Sequence, residues 1–137
     1  MKRLFLSIIC LLTASCNING STAIKKYDYD DVTSKILWSD LFTQEEDYYL
    51  VYFYRTTCAH CNELKEEILT YYFACEKTMY FVEVDDKARY GSVTDLTLIT
   101  CIDDFYIFGT PFLIEMENHK IKNYYAGVTS IRGFIMS

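Results

Sequence analysis

Cys58 and Cys61 are separated by two residues, a spacing at which two cysteines could carry out redox chemistry together. An aromatic and β-branched run at 50–54 precedes them and predicts a buried strand, whereas strong helix formers follow at 63–69. The pair therefore falls in the first turn of a predicted helix, where unpaired N–H groups and the helix dipole favour a thiolate. We expect Cys58 to act as a nucleophile near neutral pH. Cys61, on the same side of the helix, could then attack a mixed disulfide that Cys58 has formed.

His60 lies between the two cysteines. A partly charged imidazole at this position favours the Cys58 thiolate, and hence the reduced form, which makes the disulfide a better oxidant. One pKa unit corresponds to about 1.4 kcal/mol, or roughly 30 mV for a two-electron couple. His60 could therefore shift the redox poise without fixing it. The alternative is an exposed histidine that influences neither thiol.

The elements that must position this pair follow from apolar and turn patterns along the rest of the chain. Thr56 and Thr57 are suited to cap the cysteine-bearing helix, and 79–85 predicts a second buried strand. A strand, a helix and a strand in this order form a right-handed parallel unit by default. The other predicted elements are an edge strand at 35–38, a brief helix capped by Ser39 or Asp40, a helix over 92–101, strands at 112–116 and 121–125 joined by a turn at 117–120, and a last helix capped by Thr129.

The composition is that of one α/β domain. The chain has 137 residues, of which 51% are hydrophobic and 17% aromatic, enough to build a single core. A formal net charge of −6 argues against nucleic acid as a partner. No cofactor is predicted, and we expect a monomer.

The first 16 residues have the three-part pattern of a secretory signal peptide. Lys2 and Arg3 precede an apolar run that is too short to span a bilayer, and small residues follow before Cys16. Cys16 could also be the lipidated first residue of a bacterial lipoprotein; cleavage after Ala23 is the rival. We expect a polar tether at 17–34, a domain at 35–137, and a location outside the cytoplasm, either secreted or anchored to the membrane through Cys16.

The order of these features resembles the thioredoxin superfamily. It runs through a strand, Cys-x-x-Cys, a helix and a strand, and then Gly109-Thr110-Pro111 before a hairpin and a closing helix. The stretch 105–114 is similar to that family's cis-proline segment, and Gly127 falls where the family has a glycine after its last strand. The resemblance covers 36–135 and extends to small exported bacterial members, including bacteriocin-transport accessory proteins. It implies an α/β thioredoxin-like fold, a central mixed β-sheet flanked by helices.

What the resemblance implies is a thiol–disulfide oxidoreductase that acts on protein disulfides. Cys58 would be the attacking thiolate and Cys61 the resolving thiol, while Thr110 and Pro111, with a cis peptide bond between them, would form the loop that docks the substrate. The partners would be protein thiols or disulfides and an unidentified redox partner. The alternative is a non-catalytic accessory or binding module for exported proteins, in which the two cysteines form only a structural bridge; a titration of the Cys58 thiol would separate the two.

The sequence departs from the family near the buried cysteine. Thioredoxins have an acid six residues before the first cysteine, and Tyr52 stands there in this chain. Glu83, on the neighbouring predicted strand, is the nearest candidate carboxylate. This departure puts efficient thioredoxin-like reduction in question.

Cys75 and Cys101 complete the set of cysteines outside the signal region. In a thioredoxin fold, Cys75 would lie at the pole far from the active site and Cys101 near it, so buried free thiols are expected rather than a bond between them. The four cysteines lack the paired spacing of zinc motifs, so no metal site is predicted.

Overall fold

The computed structural model describes residues 25–92 and 95–137. The predicted signal peptide, and with it Cys16, lies outside the described residues. Within the described part, no helix is long and apolar enough to cross a membrane. The main elements are β1 Tyr48–Tyr54, α1 Ala59–Ala74, β2 Met79–Glu83, β3 Phe112–Glu117, β4 Lys120–Ala126 and α2 Gly127–Ile135, with short 3₁₀ turns at Tyr29–Asp31, Trp38–Asp40 and Leu96–Leu98.

The four strands form one mixed sheet in the order β2-β1-β3-β4. β1 and β2 are parallel, whereas β3 is antiparallel to both β1 and β4. The predicted strand–helix–strand unit and the predicted hairpin are therefore confirmed. At the hairpin turn, Asn118 and His119 have φ values of 51° and 59°, the left-handed backbone that tight two-residue hairpin loops require.

β1 is buried on both faces because its residues alternate between two apolar layers. Tyr52 points to the side that α1 and α2 cover, where it packs with Leu64 and Ile68 of α1. Phe53 points to the other side, where it packs with Trp38 and Phe105 from the connecting segments. The strand that leads to Cys58 therefore runs through the middle of the core.

The tether prediction for 17–34 is wrong over its last residues. Tyr29 and Val32 are buried against the helical side of the sheet. The N–H of Ile36 donates to the carbonyl of Phe81, and the N–H of Phe81 donates to the carbonyl of Ser34. The folded domain thus begins before residue 35. We call residues 25–36 the lead-in segment.

Three shorter predictions also differ from the structure. In the part of 92–101 that is described, the predicted helix is one 3₁₀ turn, which Asp95 caps through the N–H of Thr97. The brief helix after residue 38 is also a 3₁₀ turn, and its N-cap is Leu37. The last helix begins at Gly127, so Thr129 lies inside its first turn and does not cap it. Thr-rich and short sequences hold too few helix-forming residues to extend a single turn.

Candidate active site

Cys58 itself is the N-cap of α1, and not Thr56 or Thr57 as predicted. Its backbone is extended, and its sulfur accepts the N–H of Cys61 at 3.2 Å. The sulfur therefore takes the role that a Ser or Asp oxygen plays at most helix starts. Because the thiolate accepts this bond better than the neutral thiol, the cap itself favours ionisation of Cys58.

The other surroundings of the Cys58 sulfur act on its ionisation in both directions. Cys58 is half-buried, and its thiol donates to the backbone carbonyl of Thr110 at 3.3 Å. Partial burial opposes ionisation, but hydrogen bonds with the side chains of Cys61 and Thr110 and with the N–H groups of Cys61 and His60 hold the pKa of Cys58 below its usual value.

Cys61 is in the opposite situation. It lies in the first turn of α1 and is fully buried. Burial, and next the hydrogen bond with Cys58, raise the pKa of Cys61 to about 11. Cys58 is thus the more exposed of the two sulfurs, and Cys61 stays protonated behind it.

The Thr110–Pro111 segment lies beside the pair. The peptide bond between these residues is cis, and the Pro111 carbonyl accepts the N–H of Gly127 at 3.0 Å. Gly109 has a φ of 147°, a backbone that favours glycine. A shallow depression of about 300 Å³ opens at this segment, lined by Phe108, Gly109, Thr110, Pro111, Ala126 and Gly127.

The His60 imidazole points into solvent, with its side chain 75% exposed. Its Nδ1 lies 3.6 Å from the Glu63 carboxylate, which in turn lies 3.7 Å from the Arg132 guanidinium of α2. The contribution of His60 to Cys58 that the structure shows is the backbone N–H. The predicted effect of its imidazole on the redox poise stays a prediction.

A cluster of tyrosines lies beneath Cys61 on the helical side of the sheet. Tyr52 is fully buried, and its hydroxyl lies 3.4 Å from that of Tyr29. Tyr29 donates to the backbone carbonyl of Cys61 at 3.1 Å, and its ring stacks on Tyr54. We call Tyr29, Tyr52 and Tyr54 the tyrosine cluster. Tyr29 was missed from the sequence because its acidic neighbours indicated a solvated tether, although its alternation with Tyr27 was an available signal.

Glu83 does not occupy the place of the missing acid. Its side chain is exposed at the end of β2, and its carboxylate accepts from the Thr56 hydroxyl at 3.5 Å. It borders a surface depression together with Asp85 and Asp86. The polar side-chain group that the structure places against Cys61 from within the core is the neutral hydroxyl of Tyr29, at the Cys61 backbone carbonyl.

Cys75 and Cys101 are free thiols, as Cys58 and Cys61 are. Cys75 is the C-cap of α1, at the opposite end of the helix from Cys58, as the resemblance implied. Cys101 is exposed, and its thiol donates to Asp104 at 3.2 Å. The expectation of buried thiols is wrong for both, since Cys75 is only half-buried and Cys101 lies in an exposed loop rather than in a packed helix.

No family model and no curated protein matches the chain. Its structure is similar to that of thioredoxin f2 of Chlamydomonas reinhardtii, at 11% identity over 74% of this chain and 89% of that one, with a TM-score of 0.49. Oxidized mitochondrial thioredoxin 3 of Saccharomyces cerevisiae shares 13% identity over 75% and 92%, with a TM-score of 0.48. A chain from a study of thiol resolving in yeast mitochondrial 1-Cys peroxiredoxin via the glutathione and thioredoxin systems shares 13% identity over 80% and 98%, with a TM-score of 0.51.

The chain has a thioredoxin-like α/β fold. Its sheet order, the Cys-x-x-Cys pair at the start of α1 and the last of these similarities agree on this architecture. At such low identity the similarity concerns the fold, and the chemistry has to be argued from the residues of the site.

Proposed function

We propose that this protein is a thiol–disulfide oxidoreductase that acts on protein disulfides through Cys58 and Cys61. The observation that carries the proposal is the contrast between the two sulfurs. Cys58 is reachable and has a lowered pKa, whereas Cys61 is buried beside it with a pKa of about 11. A ready thiolate backed by a protonated thiol is what two-step dithiol–disulfide exchange requires.

In the reducing direction, the Cys58 thiolate attacks one sulfur of a substrate disulfide, forms a mixed disulfide and releases the first substrate thiolate. Cys61 then loses its proton and attacks the Cys58 sulfur, which releases the second substrate thiolate and leaves a Cys58–Cys61 disulfide. The substrate gains two electrons and the pair loses them. An external redox partner has to reduce the pair again, and the same steps in reverse oxidise a substrate dithiol.

The contacts around Cys58 favour the reverse, oxidising direction. The hydrogen bonds that hold down the Cys58 pKa stabilise the thiolate, which exists only in the reduced pair. Stabilising the reduced form raises the reduction potential, by roughly 30 mV for each pKa unit. We therefore propose that the Cys58–Cys61 disulfide is a better oxidant than a disulfide between two cysteines with ordinary pKa values.

The Thr110–Pro111 segment is the proposed docking site for the substrate. The Thr110 carbonyl lies within hydrogen-bond distance of the Cys58 sulfur, so a chain that bonds to this backbone would present its own sulfur to Cys58. The depression beside it, lined in part by Phe108 and Pro111, offers apolar surface to the substrate's neighbouring side chains.

Trapping of mixed disulfides tests the proposal. Cys61→Ser removes the resolving thiol, so it should accumulate mixed disulfides with client proteins, whereas Cys58→Ser should accumulate none. Non-reducing electrophoresis with reduction as the control measures both. Equal trapping by the two variants, or a Cys58 pKa at the ordinary value of about 8.5, would reject the enzyme and favour a binding module.

We also propose that the protein works outside the cytoplasm, as the pattern of residues 1–16 indicates. Lipidation of Cys16 would hold it at a membrane surface, provided that several acyl chains are attached, since a single chain binds only marginally. Mass spectrometry of the mature N-terminus in fractionated cells tests this. An intact Met1 form in the cytoplasm would reject export, and a mature start at Ile24 would reject the anchor alone.

A further inference from the structure

The side chain of Tyr29 connects the lead-in segment to the backbone of the cysteine-bearing helix. This residue is 3% exposed, and its ring stacks on Tyr54 with the centroids 4.0 Å apart. Its hydroxyl donates to the backbone carbonyl of Cys61 at 3.1 Å. Tyr29, which lies outside the main strands and helices, is thus bonded to the backbone of Cys61. Cys61 is the residue that performs the second step of the proposed exchange.

The segment around Tyr29 is fixed to the same helix by an ion pair. Asp28 accepts the N–H of Tyr29 at 2.7 Å, and Asp31 accepts the N–H of Asp28 at 2.8 Å, so the 3₁₀ turn is closed at its start. The Lys65 ammonium, one helical turn after Cys61, donates to Asp28 at 3.1 Å. The lead-in segment therefore contacts the start of α1 at Cys61 and Lys65. It also reaches the last turns of the helix, where Ser34 donates to the Tyr72 hydroxyl at 3.0 Å.

The hydroxyl of Tyr52 supports that of Tyr29. A tyrosine hydroxyl has one proton, and Tyr29 directs its proton to the Cys61 carbonyl, so the 3.4 Å contact requires Tyr52 to donate to Tyr29. The two O–H dipoles then point in sequence toward Cys61. Burial raises the pKa of both tyrosines, so they remain neutral donors at physiological pH.

We propose that Tyr29 is a positioning residue for the resolving thiol, and that Tyr52 supports it. The inference rests on the proposed exchange between Cys58 and Cys61. A donor on the Cys61 carbonyl fixes the first turn of α1 at the residue whose sulfur must reach Cys58 in the mixed disulfide. Placement matters, since a displacement of about 1 Å can cost roughly 100-fold in rate. The resolving step then depends on the lead-in segment being packed against α1, with Tyr29 in contact with Cys61.

The two steps can be timed separately with the aromatic disulfide dithiobis-nitrobenzoate. Cys58 breaks its S–S bond, keeps one half as a mixed disulfide and releases the other half as a coloured thiolate. Cys61 then loses a proton to solvent, attacks the Cys58 sulfur and releases the second coloured thiolate. In the full chain with the other four cysteines changed to serine, a rapid-mixing experiment with excess reduced protein gives one phase for each step.

Tyr29→Phe should slow the second phase about threefold to tenfold, the loss expected for one hydrogen bond, and leave the first phase unchanged. Tyr54→Phe is the matched control, because it alters the same ring stack but removes a buried hydroxyl that has no hydrogen-bond partner among the described residues. Both of its phases should match the parent chain. Tyr52→Phe should slow the second phase less than Tyr29→Phe, since Tyr29 can still reach Cys61.

Equal second phases in Tyr29→Phe and Tyr54→Phe would overturn this inference alone. So would a slowing of both phases by the same factor in Tyr29→Phe together with a lower unfolding midpoint, which would show a purely structural role. If the parent chain never releases the second thiolate, Cys61 does not resolve, and the proposed function fails together with the inference.

Discussion

Two polar clusters lie on the helical side of the sheet, and they differ in whether the buried polar groups carry a charge. Toward the end of β1, next to Cys61, the tyrosine cluster holds neutral hydroxyls. Toward the start of β1, Glu115 is a buried carboxylate that accepts from the Tyr48 and Tyr125 hydroxyls at 2.6 and 2.9 Å and from the Asn123 amide at 2.7 Å. We call these four residues the Glu115 cluster.

The difference shows where this chain tolerates a buried negative charge. Three donors satisfy the Glu115 carboxylate, so its burial does not leave a charge without partners. A carboxylate placed beside Cys61, in addition to Glu115 at the other end, would oppose the thiolate that must form on Cys61 during resolution. Like charges at close range disfavour each other. Tyr52 keeps that end of the sheet polar without charge. Four changes test this comparison.

The largest effect is expected when the charge is moved to the cysteine end. Tyr52→Asp removes a large buried ring and places a carboxyl group without partners beneath Cys61. We expect a loss of about 3–5 kcal/mol in the free energy of unfolding and a further rise in the Cys61 pKa. Denaturant unfolding of the reduced protein and the pH profile of Cys61 alkylation measure the two. A loss below about 1 kcal/mol with an unchanged profile would contradict the comparison.

Removing the acceptor at the other end should have the next largest effect. Glu115→Leu leaves the donors of Tyr48, Asn123 and Tyr125 without their shared partner, which should lower the free energy of unfolding by about 2–3 kcal/mol. Glu115→Gln, which keeps one acceptor oxygen, should lose less. The alkylation rate of Cys58 should not change in either variant; a change would show that the two clusters are coupled.

The charge of Glu115 should also make stability depend on pH. Partial burial opposes its ionisation, but the hydroxyls of Tyr48 and Tyr125 and the Asn123 amide hold the pKa of the carboxyl below its usual value. A depressed folded-state pKa contributes stability that is present above the unfolded value of about 4.3 and is lost as pH falls through the folded value. The difference in the free energy of unfolding between the parent chain and Glu115→Gln should therefore become smaller below about pH 4. A difference that stays constant from about pH 6 to about pH 3 would contradict this.

The smallest effect is expected at Tyr54. Its hydroxyl is buried without a hydrogen-bond partner in the described part of the chain, so Tyr54→Phe removes a group that was desolvated without compensation. The free energy of unfolding should stay the same or rise by up to about 1 kcal/mol. A clear loss in thermal or denaturant unfolding would show that the hydroxyl has a partner such as a bound water, and that the tyrosine cluster is more polar than described.

The local pattern around the cysteine pair was sufficient to predict most of the architecture. An aromatic strand, Cys58 at a helix start and a second apolar run indicate a parallel unit, since strand and helix periodicities differ clearly there. Asn118 and His119 lie in the turn that the hairpin pattern predicted. These features depend on neighbours in sequence, which one chain displays directly.

The features that sequence reasoning missed depend on partners far along the chain. Tyr29 is buried because Tyr52, Tyr54 and Cys61, more than twenty residues away, form its site. A tyrosine among aspartates has the local pattern of a solvated segment, because its ring can be buried while its neighbours face water. The N-cap was misplaced for a related reason: Thr57 has the favoured residue type, but the turn geometry presents the sulfur of Cys58 to the Cys61 N–H.

The lead-in segment also has a consequence for self-association. An unpaired strand edge is a template on which another chain can add a strand. The hydrogen bonds of Ser34 and Ile36 to Phe81 cover the outer edge of β2, whereas the outer strand β4 carries the exposed lysines Lys120 and Lys122 and a register irregularity in its pairing with β3. One edge is thus protected by backbone and the other by charge. A chain that begins at residue 37 would lack these hydrogen bonds and expose the edge of β2. It should aggregate through that edge even with the cysteine pair intact.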